Sequence, residues 1–244
     1  MPRFFAKKDD ISENEISIVG EDAYHIARSL RMAVGDYITV SDGEGIDYYC
    51  SLSSIRDERC VCEIKGKEAS SSEPKSRITL FMAYPKGDKL ELVVQKAVEL
   101  GASEIVPFES SRCVKRPKAD KQDRVTERLN KIAREAAKQS GRAILPTVAP
   151  AASFKEMLTR ASESELSLFC YEGEDGKSVK DVIGGSKAPK SISCIVGCEG
   201  GFSTEEADEI ISAGIHSVSL GRRILRCETA PDFILSALAY EFEL

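Results

Sequence analysis

The sequence predicts an α/β protein, a largely parallel sheet preceded by a smaller barrel-like β domain. Two observations carry that prediction. From residue 78 onward, short apolar runs alternate with amphipathic helical stretches, the rhythm of strands joined by crossover helices. Before residue 67 the runs are β-like and closely spaced, and the polar, Ser-rich, Pro-containing stretch "KEASSSEPKS" at 67–76 separates the two regimes. The expected division is therefore 1–72 and 73–244.

In the first part, "EDAYHIARSLRM" (21–32) reads as one helix with Ala23, Ile26, Ala27 and Leu30 on a single face. Three strands follow at "YITVSD" (37–42), "IDYYCSLSSI" (46–55) and "RCVCEIKG" (59–66), with "GEG" at 43–45 as a hairpin turn. In the second part, the buried strand "ITLFMAY" (78–84) leads to the helix "DKLELVVQKAVELG" (88–101). There Leu90, Val93, Val94, Ala97 and Val98 recur at helical spacing and Gly101 stops the run. Strand "SEIVPF" (103–108), a long basic helix from about Gln122 to Ser140, and helix "SFKEMLTRA" (153–161) come next. Strands "LSLFCY" (166–171) and "SISCIVG" (191–197) precede a helix opened by the capping box of Ser203 and Glu206. A last strand, "HSVSLG" (216–221), leads to a C-terminal helix from about Thr229.

Composition narrows the function classes. No apolar run approaches the roughly 20 residues that span a bilayer, and "MPRFFAKKDD" lacks the apolar core of a secretory signal. A cytoplasmic protein with reduced thiols is the expectation. The eight cysteines include C-x-C at 60 and 62 and a pair four apart at 194 and 198, but no C-x-x-C, and the two histidines stand alone. That pattern does not suit structural zinc, so no metal is expected and the thiols should be small buried hydrophobes. Net charge is −6, yet residues 112–142 hold eleven Lys and Arg against four Asp and Glu, a local +7. A basic stripe on an acidic protein suits phosphate contact on one face, the alternative being a solvated helix surface.

In a parallel sheet, ligands gather outside the carboxyl ends of the strands. Two loops occupy such positions: "IVGCEGGFSTEE" (195–206), with three glycines in five residues, and "SLGRRILRCETA" (219–230). Neither is the early GxGxxG of a dinucleotide site nor a phosphate-cradling GxxxxGK[ST]. Glycine lets a peptide plane lie directly against a ligand, although a tight turn without a ligand explains "GCEGG" alone equally well.

Together the two loops resemble the signature of the 16S ribosomal RNA (uracil-N3)-methyltransferase family of the SPOUT superfamily. "MPRFF", "VVQKAVELG" (93–101), "PFESSRCVKR" (107–116) and "AAKQSGRAILP" (136–146) are similar to that family in the same order, so the resemblance covers most of the chain. The family usually has proline where Cys198 stands, which bears on the stiffness of the turn. The resemblance implies a PUA-like RNA-binding barrel followed by an α/β domain with a trefoil knot. It also implies S-adenosyl-L-methionine as methyl donor, a homodimer with the site at its interface, and a uridine of the small ribosomal subunit's 16S RNA as substrate.

Residue roles follow from the resemblance and from the chemistry. Gly197, Glu199, Gly200, Gly201, Leu220, Gly221, Ile224, Leu225 and Thr229 are the expected donor-binding residues, with Glu199 fixing the glycine turn through backbone N–H groups. Methylating N3 removes a weakly acidic proton and spreads charge onto O2 and O4, which calls for a cation or N–H donors there. N3 also lies on the pairing edge, so the base must be flipped or unpaired. Arg226 is the candidate cation, and Glu228 either accepts the proton or holds Arg226; a plain Arg226–Glu228 ion pair at a helix start is the structural alternative. Arg3, Lys96, Arg112, Lys115, Arg116 and Arg142 are the expected RNA contacts, and Tyr24 and His25 are further candidates. Two rival functions stay open. A ribose 2′-O-methyltransferase would differ in the nucleoside it modifies, and a non-catalytic assembly protein would bind no methyl donor.

Overall fold

The computed structural model describes residues 1–114, 121–174 and 176–244, and its contacts divide into two compact units, one of 1–73 with 137–145 and one of 74–136 with 146–244. Lys115, Arg116 and Lys118 of the basic stripe lie outside the described residues.

The first unit is a curled five-stranded sheet. Its strands are β1 (Arg3–Phe5), β2 (Glu15–Val19), β3 (Tyr37–Ser41), β4 (Ile46–Ile55) and β5 (Arg59–Ala69), in the order β1-β3-β4-β5-β2. Only β1 and β3 pair in parallel. Register shifts at Tyr49/Cys50 and Leu52/Ser54 bend the long β4–β5 ribbon, as bulges do. The bend wraps it around Ile16, Ile18, Ile26, Ile38, Val40 and Leu52.

The expected helix over 21–32 is not one α-helix. An α-turn, α1 (Glu21–Tyr24), passes into a π-helical turn over His25–Ser29. The wider π turn shifts the side chains that follow, so Ala23 and Ile26 are buried while Leu30 is 41% exposed. Arg31 then takes a positive φ of 50° where the turn ends. β1 and β2 were not read from the sequence: β1 has only three residues, while β2 does alternate, with Ile16 and Ile18 buried between Glu15, Ser17 and Val19.

In the second unit all six strands are parallel: β6 (Arg77–Ala83), β7 (Glu104–Phe108), β8 (Thr147–Val148), β9 (Leu166–Cys170), β10 (Ser191–Val196) and β11 (His216–Val218), in the order β11-β9-β10-β6-β7-β8. Their near-continuous burial is the mark of a sheet covered on both faces. The helices are α2 (Lys89–Glu99), α3 (Gln122–Ser140), α4 (Phe154–Ser162), α5 (Val179–Ile183), α6 (Thr204–Ser212) and α7 (Thr229–Glu243). α2 buries Leu90, Val93, Val94, Ala97 and Val98, the predicted stripe. The Ser203–Glu206 capping box opens α6 as expected, and a second box, Ser178–Asp181, opens α5, which the sequence reading did not include.

Topology positions the site. The chain passes from β9 to β10 on one side, then crosses to β11 on the other side of β9. The connections that leave the neighbouring strands β9 and β10 thus run in opposite directions, and a crevice opens at such a switch point. No helix among the described residues is long and apolar enough to cross a membrane, and all eight cysteines are free and buried.

Candidate active site

The segments that leave the carboxyl ends of β9, β10 and β11 surround a cavity of about 910 Å³. Its walls are 170–172, Glu174 and 176–178 at the end of β9, the glycine turn 196–201 after β10, and 219–227 after β11, with Lys89 at the start of α2 completing the rim. Of the residues expected to line a pocket, Gly197, Glu199, Gly200, Gly201, Leu220, Gly221, Ile224, Leu225 and Arg226 all do so. Thr229 does not. It is the first residue of α7, exposed, and its N–H caps the Arg226 carbonyl at 2.8 Å. Ile224 lines the mouth at 90% exposure and so is no part of the core.

The glycine turn is closed by the Gly201 N–H donating to the Cys198 carbonyl at 3.0 Å. Gly201 has φ of 63°, and a Cβ there would run into the Glu172 carboxylate. A Cβ on Gly197 would press on the Phe202 ring at 2.9 Å, and Phe202 is itself held edge-on to Phe169 with centroids 4.8 Å apart. The three glycines therefore let the turn pack closely against Phe202, Arg112 and Glu172 while the turn itself lines the cavity.

Two cations hold the turn. The Arg112 guanidinium donates to the Gly200 carbonyl at 2.9 Å, and its loop is fixed by Glu206, which accepts from the Ser111 N–H at 2.6 Å and from its hydroxyl at 2.8 Å. Arg112, expected at the RNA, is thus brought to the cavity's edge. Lys89 Nζ lies 3.0 Å from Glu199 Oε1 and 3.0 Å from Glu228 Oε2. Glu199 also accepts from the Lys86 N–H, 3.2 Å from each carboxylate oxygen. The anchoring expected of Glu199 is thus present, but toward the β6–α2 loop.

Glu228 does not pair with Arg226, so the structural alternative for that pair is wrong in its partner. Lys89 takes Glu228 instead, and the Arg226 side chain has no ion-pair partner among the described residues. Glu228's own backbone N–H and then Lys89 hold its carboxyl below the usual range, and hydrogen bonds to Glu228 and Glu199 raise Lys89 above its own. A carboxylate so held is a weak base, which favours anchoring over proton transfer. Burial, with Glu228 beside it, pushes the neighbouring Cys227 thiol up to about 12.

The other expected RNA contacts differ among themselves. Arg142 is 3% exposed and locked to Glu73 at 2.7 Å, and Arg3 forms a two-pronged pair with Asp47 at 2.5 and 2.9 Å. Both serve inside the first unit, a correction to their expected place on an open surface. Lys96 is half-exposed on α2 and pairs with Glu99 at 2.8 Å. Within the basic stripe, Lys138 is tied to Asp22 and Arg128 to Glu91, so part of the +7 is neutralised by the fold. Tyr24 and His25 are exposed.

Lys89, Tyr171, Glu172, Glu174 and Lys177 line the cavity and were missed. The signal for Lys89 was its place at the first turn after a strand's carboxyl end; for Tyr171, Glu172, Glu174 and Lys177 it was the end of β9.

The family model of the RNA methyltransferase domain matches residues 71–239, and that of the RNA methyltransferase PUA domain matches 18–65. The chain belongs to the RNA methyltransferase family. Within it, the chain is 34% identical to the ribosomal RNA small subunit methyltransferase E of Bacillus subtilis, over 100% of this chain and 98% of that one. It is 29% identical to the protein of the same name from Synechocystis, over 97% and 76% of the two. Among solved structures, the ribosomal RNA small subunit methyltransferase E of Neisseria gonorrhoeae, bound to S-adenosyl methionine, superposes with a TM-score of 0.86 at 29% identity, covering 98% of this chain and 97% of that one. The family read from the two loops is therefore the right one, and the curled first-unit sheet carries its PUA domain.

Proposed function

We propose that this protein transfers the methyl group of S-adenosylmethionine to N3 of a uridine in 16S ribosomal RNA. It does so in the cytoplasm as a homodimer, on the small ribosomal subunit. The observation that carries the reading is the cavity at the switch point, walled by the glycine turn and edged by Arg226, which has no ion-pair partner among the described residues. The donor-bound relative from Neisseria gonorrhoeae, alike over nearly the whole chain, supports the choice of donor.

The cavity fits such a donor on its own terms. Its volume of about 910 Å³ is within the range of small-molecule sites, and the lack of a side chain on Gly201, at a positive φ, leaves room for the Glu172 carboxylate that lines it. Gly197, Gly200 and Gly201 would hold the donor through their peptides, with Leu220 and Leu225 as the apolar wall and Gly221 and Ile224 beside them. When bound, S-adenosylmethionine supplies an electrophilic methyl group. The chain supplies orientation and charge: Arg226, free of any carboxylate partner among the described residues, serves the uracil O2 or O4 as N3 loses its proton. Glu228 and Glu199, joined by Lys89, keep the Arg226 loop and the glycine turn in register.

RNA is held by Arg112, Lys96, Lys115 and Arg116, while residues 1–72 contribute the PUA-like platform and 73–244 the methyltransferase domain with its trefoil knot. Exposed Phe233 and Tyr240, seven residues apart on α7, suit a second copy of the chain. The test is methyl transfer from labelled donor to deproteinised 16S RNA and to assembled subunits, followed by mass spectrometry of the nucleoside. N3-methyluridine is expected. A 2′-O-methylated nucleoside would replace this reading by the ribose one, and no transfer with no donor binding would remove enzymatic function.

A further inference from the structure

The thiols of Cys113 and Cys198 meet behind the cavity, and methyl transfer makes no use of them. Cys198 opens the glycine turn and lines the cavity. Cys113 ends the turn after β7, its N–H donating to the Ser110 carbonyl at 3.1 Å. One hydroxyl sits against both sulfurs: Ser110 Oγ is 3.3 Å from Cys113 Sγ and 4.0 Å from Cys198 Sγ. The Ser110 N–H also points at Cys113 Sγ, at 3.4 Å. Neighbouring residues brace the two loops together, through Arg112 on the Gly200 carbonyl and Glu206 on Ser111.

Surroundings divide the labour between the sulfurs. A hydrogen bond from Cys198, with those from Ser110, outweighs burial and lowers Cys113 to about 6, whereas Cys198 is pushed up as the proton donor of the pair. Reactivity toward oxidants follows thiolate character. Cys170 and Cys194, which burial alone or chiefly pushes up, lack that character, and Cys50, lowered in the same way by Cys62, is fully buried with its partner, whereas Cys198 lines the cavity.

We propose that Cys113 and Cys198 form an oxidisable pair, with Cys113 reacting with hydrogen peroxide and Cys198 resolving the product into a disulfide that reshapes the glycine turn. The Cys113 thiolate attacks one peroxide oxygen, the O–O bond breaks, and hydroxide leaves Cys113 as a sulfenic acid. Cys198 then yields its proton to that hydroxide and attacks the Cys113 sulfur. The S–S bond forms as the S–O bond breaks, and the departing hydroxyl is protonated from solvent. Peroxide has been reduced to water by the electron pair the two thiols lose. A disulfide brings its sulfurs to about 2.05 Å. The sulfurs now stand only at hydrogen-bonding separation, so bonding them must draw Cys198 toward Cys113 and deform the turn. Donor binding and disulfide formation therefore oppose each other, and by linkage each weakens the other to the same degree.

The coupling rests on the donor occupying the cavity; the disulfide does not, so the two can fail separately. Full-length protein is treated with hydrogen peroxide, its remaining thiols are alkylated, and it is digested without reductant for mass spectrometry. A Cys113–Cys198 peptide is expected, formed more slowly with S-adenosylhomocysteine present. Calorimetry on the oxidised protein should show S-adenosylhomocysteine binding weakened about tenfold and restored by dithiothreitol. In Cys198→Ser, Cys113 should be trapped as its sulfenic acid by a 1,3-diketone. Cys50 and Cys62, fully buried partners in the first unit, are the internal control. A Cys113–Cys198 link that is absent, or no faster to form than Cys50–Cys62, overturns the pair. A link with unchanged ligand affinity overturns the deformation of the turn. Reduced protein that binds no S-adenosylhomocysteine refutes the donor reading, while the peptide map still decides the disulfide.

Discussion

Lys89 Nζ stands 3.0 Å from Glu228 Oε2 and, on its other side, 3.0 Å from Glu199 Oε1. One ammonium group thus links the loop after β11 to the turn after β10, and separates two carboxylates that would otherwise repel. Lys89→Met keeps the stem and removes the charge. Affinity for S-adenosylhomocysteine should fall roughly tenfold with little change in melting temperature, because Lys89 is partly exposed. Calorimetry that finds unaltered affinity would show that the two loops hold their shape without it.

Arg226→Ala should lower turnover by roughly a hundred- to a thousandfold, the usual effect of losing one preorganised contact to developing charge. Donor affinity and melting temperature should stay near normal, since the Arg226 side chain has no ion-pair partner among the described residues. Single-turnover methyl transfer is the measurement, and near-normal turnover would take this residue off the catalytic list.

Gly201→Val should abolish donor binding. A branched side chain at φ of 63° costs about 1–2 kcal/mol of backbone strain, and its Cβ would displace the Glu172 carboxylate into the cavity. Circular dichroism should report a folded protein. Full affinity in that folded protein would mean the donor lies elsewhere.

Glu73 is held by Arg142 and by the N–H groups of Ala143 and Ile144, at 2.8 and 3.0 Å for the latter two. Burial raises its pKa, but those partners prevail and the net shift is downward. A carboxyl depressed on folding contributes stability that is complete above the unfolded value, near 4.3, and is lost as pH falls through the folded one. Arg142→Met leaves the mostly buried Glu73 with its two N–H partners but no cation, with an expected loss of about 3 kcal/mol. Denaturant melts should show that loss at pH 7 and a smaller one at pH 3. An equal loss at both would place the effect in packing alone.

Much of the second unit was legible because burial on both sheet faces leaves continuous apolar runs, as in Leu80–Ala83. The glycine turn was legible too, since only glycine suits Gly201's φ. Unread features were those that depend on contacts distant in sequence. Nothing local distinguishes Arg142, with Glu73 beneath it, from an exposed arginine, and nothing in "EDAYHIARSL" marks the π turn that exposes Leu30. Glu228 was paired with the wrong cation for the same reason: Arg226 is its neighbour along the chain, but Lys89 is its neighbour in space.

RNA affinity should be steeply salt-dependent, each neutralised phosphate adding about 0.7 to 0.9 to the log–log slope. Replacing Lys115, Arg116 and Lys118 by Ala should flatten it, whereas Lys138→Ala should not, because Lys138 is engaged with Asp22. Filter binding across a salt series separates the two, and equal slopes for all three proteins would move the RNA contact elsewhere.

The cavity's walls come from segments far apart in synthesis, from Lys89 through the glycine turn to 219–227. Ribosomes add on the order of 5–20 residues per second, so the segments up to residue 201 wait a second or more for the last wall. Until Arg226 and Glu228 have emerged, Lys89 lacks one of its two anions and a nascent chain has nowhere to seat a small ligand. Ligand capture by stalled chains, extended by a linker that clears the ribosome, should therefore switch on only once α7, with its buried Ile234, Leu235 and Leu238, has also emerged, which makes it a clock for the final step of folding.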